Sequence, residues 1–73
     1  MKQIHKDVTT YEIRDGYFVD VESTKENMDM WLYHNEYGVK VYMIGISLDV
    51  DVEEMLLNII DQYIDEYEEL YKY

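Results

Sequence analysis

The sequence predicts an α+β fold, a four-stranded antiparallel meander made of two hairpins and packed by one long C-terminal helix. Three observations carry this expectation. Residues 9–22 alternate around Asp15-Gly16, residues 28–46 do so around Asn35-Glu36-Tyr37-Gly38, and from Asp51 onward the apolar residues change to helical spacing. A chain of 73 residues with no proline and three glycines offers no linker, so residues 1–73 form a single domain.

In the first hairpin a three-residue loop, Arg14-Asp15-Gly16, pairs Ile13 with Tyr17, Tyr11 with Val19 and Thr9 with Val21. That register gathers the apolar residues on one face and sets Glu12, Arg14, Phe18 and Asp20 on the other. Gly16 takes the left-handed position of the turn. Ser23-Thr24-Lys25-Glu26-Asn27 is a polar connection.

The second hairpin joins Met28–His34 to Val39–Ile46. Pairing Leu32 with Val41 and Met30 with Met43 gives an aliphatic inner face, and it leaves Trp31, Tyr33, Tyr42 and Ile44 outside. With Phe18 these form an aromatic patch of a kind enriched at interfaces. Three fates compete for it: contact with a partner, cover by an N-terminal segment carrying Ile4 and Val8, or burial in a homodimer.

Asp51 is a helix N-cap with Glu54 three residues later, and Val50 is placed to staple against Met55. The helix then presents Val52, Met55, Leu56, Ile59, Ile60, Tyr63, Ile64, Tyr67, Leu70 and Tyr71 as one wide apolar stripe.

Charge narrows the function. The formal net charge is -11; residues 1–46 contribute -3 and residues 47–73 contribute -8. Such a field repels phosphate, so direct binding to nucleic acid or an anionic membrane is not expected, whereas a basic protein surface is attracted. No apolar stretch reaches the length of a signal peptide or a membrane span, and the expected location is the cytoplasm of the producing or infected cell.

No arrangement of His5, His34, Ser23 or Ser47 matches a catalytic motif, so an enzyme is not expected. There is no cysteine, and the Asp49-Val50-Asp51 start of a calcium-type loop lacks glycine and glutamate at its later positions; neither metal nor cofactor is implied.

The outer helix face carries the sharper signal. Glu54, Asn58, Asp61, Asp65, Glu68 and Glu69 follow one another as an acidic ridge flanked by Gln62 and Glu66, with no base in the helix before Lys72. Like charges four apart, and acids near a helix C-terminus, together cost about 1–2 kcal/mol before screening. Acidic helices also serve solubility. A cost repeated along one ridge nevertheless points to binding, with Glu54, Asp61, Asp65, Glu66, Glu68 and Glu69 as contacts and Phe18, Trp31, Tyr33 and Tyr42 as aromatic anchors.

A small, cysteine-free, acidic α+β chain with segments such as Asp61-Gln62-Tyr63-Ile64-Asp65-Glu66-Tyr67-Glu68-Glu69 resembles phage- and mobile-element-encoded inhibitors, in particular anti-CRISPR and anti-restriction proteins that mimic DNA. The resemblance lies in composition and architecture, not in a motif. It implies a stoichiometric inhibitor whose carboxylates stand where phosphates would sit in the basic groove of a defence or repair complex. The same physics fits an antidote that neutralises a basic toxin. A structural adaptor using the aromatic sheet face is a further reading.

Overall fold

A computed structural model describes residues 7–71. The order is β1 (Asp7–Arg14), β2 (Tyr17–Ser23), β3 (Asn27–His34), β4 (Lys40–Ser47) and α1 (Val52–Tyr71). The strands form one antiparallel sheet in chain order, β1-β2-β3-β4, with the helix as the second layer. This is the α+β architecture the sequence predicts. Ile4, His5, Lys72 and Tyr73 lie outside the described residues.

The first hairpin departs from expectation at its tip. Tyr11 faces Val19 and Thr9 faces Val21, as the alternation requires, but Arg14 rather than Ile13 is the partner of Tyr17. The loop is the two residues Asp15-Gly16, and the register is recovered by a β-bulge that leaves Ile13 unpaired. An extra residue in one strand turns two consecutive side chains toward the same side. Ile13 accordingly packs against the core, and Arg14, expected on the outer face, instead reaches the helix and ion-pairs with Asp61. Gly16 has φ +81°, and a Cβ there would stand 2.5 Å from His34 Nε2, so the turn needs glycine for both backbone and space.

The connection between β2 and β3 is a tight turn. Thr24 N–H donates to the Asn27 carbonyl (2.9 Å), while the Thr24 hydroxyl accepts from the Asn27 N–H (3.2 Å). A second bulge sits in β4. Leu32 faces Val41 as expected, but Met30 faces Ile44, because Met43 is the additional residue. Met43 is buried, and Ile44 is half-buried against the same core instead of joining the outer aromatic face.

The core is the layer between sheet and helix. Tyr17, Val19 and Val21 of β2, Met28, Met30 and Leu32 of β3, and Met43 and Ile46 of β4 meet Leu56, Ile60, Ile64 and Tyr67 of α1. Asp51 caps the helix by accepting the Glu54 N–H on its carboxylate (3.3 Å), and Val50 and Met55 are both half-buried beside it. Leu70, expected in the apolar stripe, is instead 69% exposed: ten positions past Ile60 the 100° step carries it to the stripe's margin.

Tyr67 locks the helix to the sheet. Its hydroxyl donates to the Val39 carbonyl (2.6 Å) and accepts the His34 N–H (3.3 Å), joining α1 to the end of β3 and to the loop residue just before β4. Around it Tyr17, His34, Tyr37 and Tyr71 stack at centroid distances of 4.6–6.3 Å. Removing the hydroxyl leaves two backbone groups without this partner. Tyr67→Phe should therefore lower the urea unfolding free energy by about 1–3 kcal/mol without changing the m-value; an unchanged midpoint would mean that the helix docks through apolar contact alone.

Candidate functional site: an acidic helix face and an aromatic sheet face

The two surfaces singled out in the sequence lie on opposite sides of the molecule. On α1, Glu54, Asp61, Asp65, Glu66 and Glu69 are exposed, as are Asn58 and Gln62. The underlying register is simple: with Leu56, Ile60, Ile64 and Tyr67 fixed against the sheet, residues between these rows must face away. The helix carries Glu53 and Glu54 in its first turn, where acids are favoured, and no base in its last described turn.

Two members of the ridge are occupied from within. Arg14 is brought over by the β1 bulge to ion-pair with Asp61, so a base does approach the ridge, from the sheet rather than from the helix. Glu68 is half-buried and accepts the Tyr17 hydroxyl (2.8 Å). Burial, then the Glu68 hydrogen bond and charge, push the Tyr17 phenol well above its ordinary value, and it remains a donor at any physiological pH. Glu54, Asp65, Glu66 and Glu69 have no ion-pair partner among the described residues. The ridge's available charge is therefore concentrated toward its C-terminal half.

The outer sheet face holds the aromatic residues but largely pairs them with one another. Phe18 stacks on Tyr33 across β2 and β3, with centroids 5.5 Å apart and planes 20° from parallel. Trp31 meets Tyr42 edge-on at 5.1 Å. Phe18, Trp31 and Tyr33 are half-buried; Tyr42 is 48% exposed. Tyr42 donates to Asp29 Oδ1 (3.3 Å), and this contact runs across Gly45, where a Cβ would stand 2.9 Å from the Tyr42 oxygen. The Trp31 indole N–H is buried without an acceptor among the described residues.

Charge chemistry that the sequence did not reveal closes this face. Asp20, which reads as one more solvated acid, is only 9% exposed. Its carboxylate receives Lys40 Nζ (2.7 Å), the Thr10 hydroxyl (2.6 Å) and the Tyr33 hydroxyl (3.4 Å). Lys40 reaches Asp20 from β4 by passing over the Tyr33 ring, 5.8 Å from its centroid. Burial alone would raise the Asp20 carboxyl; Lys40, Thr10 and Tyr33 outweigh it and hold it below its ordinary value. Lys40 is raised chiefly by its hydrogen bond to Asp20. The signal was present in the alternation, since Asp20 lies between Val19 and Val21 in a short strand, but its partners come from three other positions in the sheet.

His34 is built into the hairpin tips. Its Nδ1 accepts the Glu36 N–H (3.1 Å), and its ring packs between Tyr17 and Tyr37. Among the described residues no three His, Asp or Glu side chains converge as metal ligands would, and no helix is long and apolar enough to cross a membrane. Compared with known proteins, the chain matches no family model, no curated protein and no solved structure.

The Asp20 network has a defined pH signature. A carboxyl held below its unfolded value adds stability above the ordinary carboxylate range, and that stability disappears as pH falls through the folded value. At neutral pH, Asp20→Asn should cost about 1–2 kcal/mol, allowing for screening at the exposed Lys40 end. The gap between the two proteins should close on acidification below about pH 4. Urea titrations of both proteins across that range check this, and a gap independent of pH would contradict it.

Proposed function

We propose that the protein is a stoichiometric inhibitor that occupies the basic, nucleic-acid-binding surface of another protein or complex with the outer face of α1. The observation that carries this reading is the exposed row of carboxylates that has no basic partner among the described residues: Glu54, Asp65, Glu66 and Glu69. A folded domain gains nothing locally from such a row. Neighbours four apart repel, and acids near a helix C-terminus oppose the macrodipole. Two acids for which the fold has an internal use, Asp61 and Glu68, are engaged; the others project outward.

The spacing suits phosphate mimicry. With Asp61 and Glu68 engaged within the fold, the outward charge is densest at Asp65, Glu66 and Glu69, three carboxylates within about 6 Å of helix rise; one strand of duplex DNA carries a charge about every 3.4 Å. A groove lined by arginine and lysine for a nucleic-acid backbone would meet a similar linear charge density here. Steering by the net charge of -11 would speed the encounter and make it salt-sensitive. Tyr42, the exposed ring of the sheet, shares a cleft at the β4 edge with Tyr63 and Glu66 of α1, so it borders the C-terminal end of this surface.

Charge reversal at the unpaired positions tests the reading while leaving the core and the Arg14–Asp61 pair untouched. Against a basic nucleic-acid-binding target, Asp65→Lys/Glu69→Lys should weaken binding by about a hundredfold at low ionic strength. Raising the salt to about 0.5 M should weaken the wild-type complex strongly. An affinity unchanged by both would rule out charge mimicry.

A further inference from the structure

The sheet has two edges, and they differ. At β4 the Met43 bulge breaks the regular ladder and Lys40 adds a charge, both of which discourage pairing with another strand. At β1 the residues Asp7 to Glu12 pair with β2 in unbroken register, so the opposite side of the strand offers a regular row of backbone donors and acceptors. All of Asp7–Thr10 is exposed, and no described element lies alongside.

Beneath this edge the helix and sheet do not close. A groove of about 310 Å³ is floored by Tyr11, Ile13, Leu56, Leu57 and Ile60. Glu12 and Glu53 stand at its rim. Leu57 is 80% exposed, more than any other large apolar side chain among the described residues, and it lies one helical turn from Glu53, Glu54 and Asp61. An exposed leucine set among acids is a poor solvent-facing choice and a good contact for a segment that is both apolar and basic.

We infer that the β1 edge and this groove form a second docking surface, occupied by an extended basic segment of the partner that adds to the sheet as a fifth strand. The inference rests on the proposed reading that the partner is basic. Alternate residues of an added strand stand about 7 Å apart on one face. They fall beside Tyr11 and Ile13, whose own separation is two residues, and the apolar ones enter the groove against Leu57. Basic residues of the segment, pointing to the other face, fall beside Glu12, while Glu53 on the helix adds to the negative field at the groove. The protein already seats a guanidinium next to this groove, since Arg14 of β1 pairs with Asp61 of the helix. A second copy of the chain is the poorer occupant, because each copy carries a net charge of -11.

The test uses a labelled, end-capped peptide of alternating valine and lysine, about eight residues long to match β1, and a control with proline at alternate positions. The first peptide should bind, and its binding should slow hydrogen exchange at the Asp7–Glu12 amides. Leu57→Asn, at an exposed position, should weaken it by about tenfold. The proline control should not bind. Binding that ignores both Leu57→Asn and proline, or protection located elsewhere, would overturn the inference. So would a dimer in sedimentation that Leu57→Asn dissociates, since the edge would then serve self-association. The two readings separate cleanly. If Asp65→Lys/Glu69→Lys abolishes partner binding while Leu57→Asn has no effect on the peptide, the groove fails and the ridge stands; the converse pattern sustains the groove and removes the ridge.

Discussion

One helix has to cover a four-stranded sheet, and most of the molecule follows from that mismatch. A helix with its side chains is about 10–12 Å across, while the outer strands of a four-stranded sheet stand about 14 Å apart. α1 therefore buries the strands nearest its axis and leaves a margin. Along β2 and β3 the inward positions are buried, from Tyr17 to Val21 and from Met28 to Leu32. β1 has no fully buried residue. The bulges at Ile13 and Met43 are the local adjustments: each turns two successive side chains toward the helix and so adds apolar or ionic contact where a regular strand would alternate away.

The uncovered side of the sheet is stabilised in a different way. Having no second layer among the described residues, it makes a thin one of its own. Phe18 lies on Tyr33, Trp31 abuts Tyr42, and Lys40 crosses Tyr33 to reach Asp20. Rings and a lysine stem cover backbone with little loss of side-chain entropy, and Thr10 and Tyr33 supply the further hydrogen bonds an ion pair needs when it is withdrawn from water. This shifts the balance between the two candidate surfaces. The aromatic residues are largely engaged with one another, whereas Glu54, Asp65, Glu66 and Glu69 of the helix have no ion-pair partner among the described residues.

Much of this was legible, and the failures have two causes, unmarked bulges and partners distant in the chain. The long-range register of the first hairpin followed from alternation, because slipping Tyr11 and Val19 by one residue would expose both. The helix cap followed from Asp51 and Glu54. What alternation could not locate was an extra residue. Val41-Tyr42-Met43-Ile44 has no polar residue to mark which side faces in, so a bulge there leaves the pattern intact while moving Ile44 to the core. Arg14 was misplaced for the same reason, and with it went an ion pair that neutralises part of the ridge. Asp20 was hidden because its burial depends on residues ten, thirteen and twenty positions away, which no local pattern joins.

At the C-terminal half of α1 the fold and the proposed contact pull in opposite directions: Asp65 and Glu69 repel across one turn and oppose the macrodipole. Unfolding free energies of the wild type and Asp65→Asn/Glu69→Gln, measured at low and high salt, test this directly. Removing two like charges from the C-terminal half of the helix should stabilise the protein by about 0.5–1 kcal/mol at low salt, and the gain should shrink as salt rises. A loss of stability, or a gain indifferent to salt, would mean that these acids serve the fold itself, and the case for a surface held ready for a basic partner would fall.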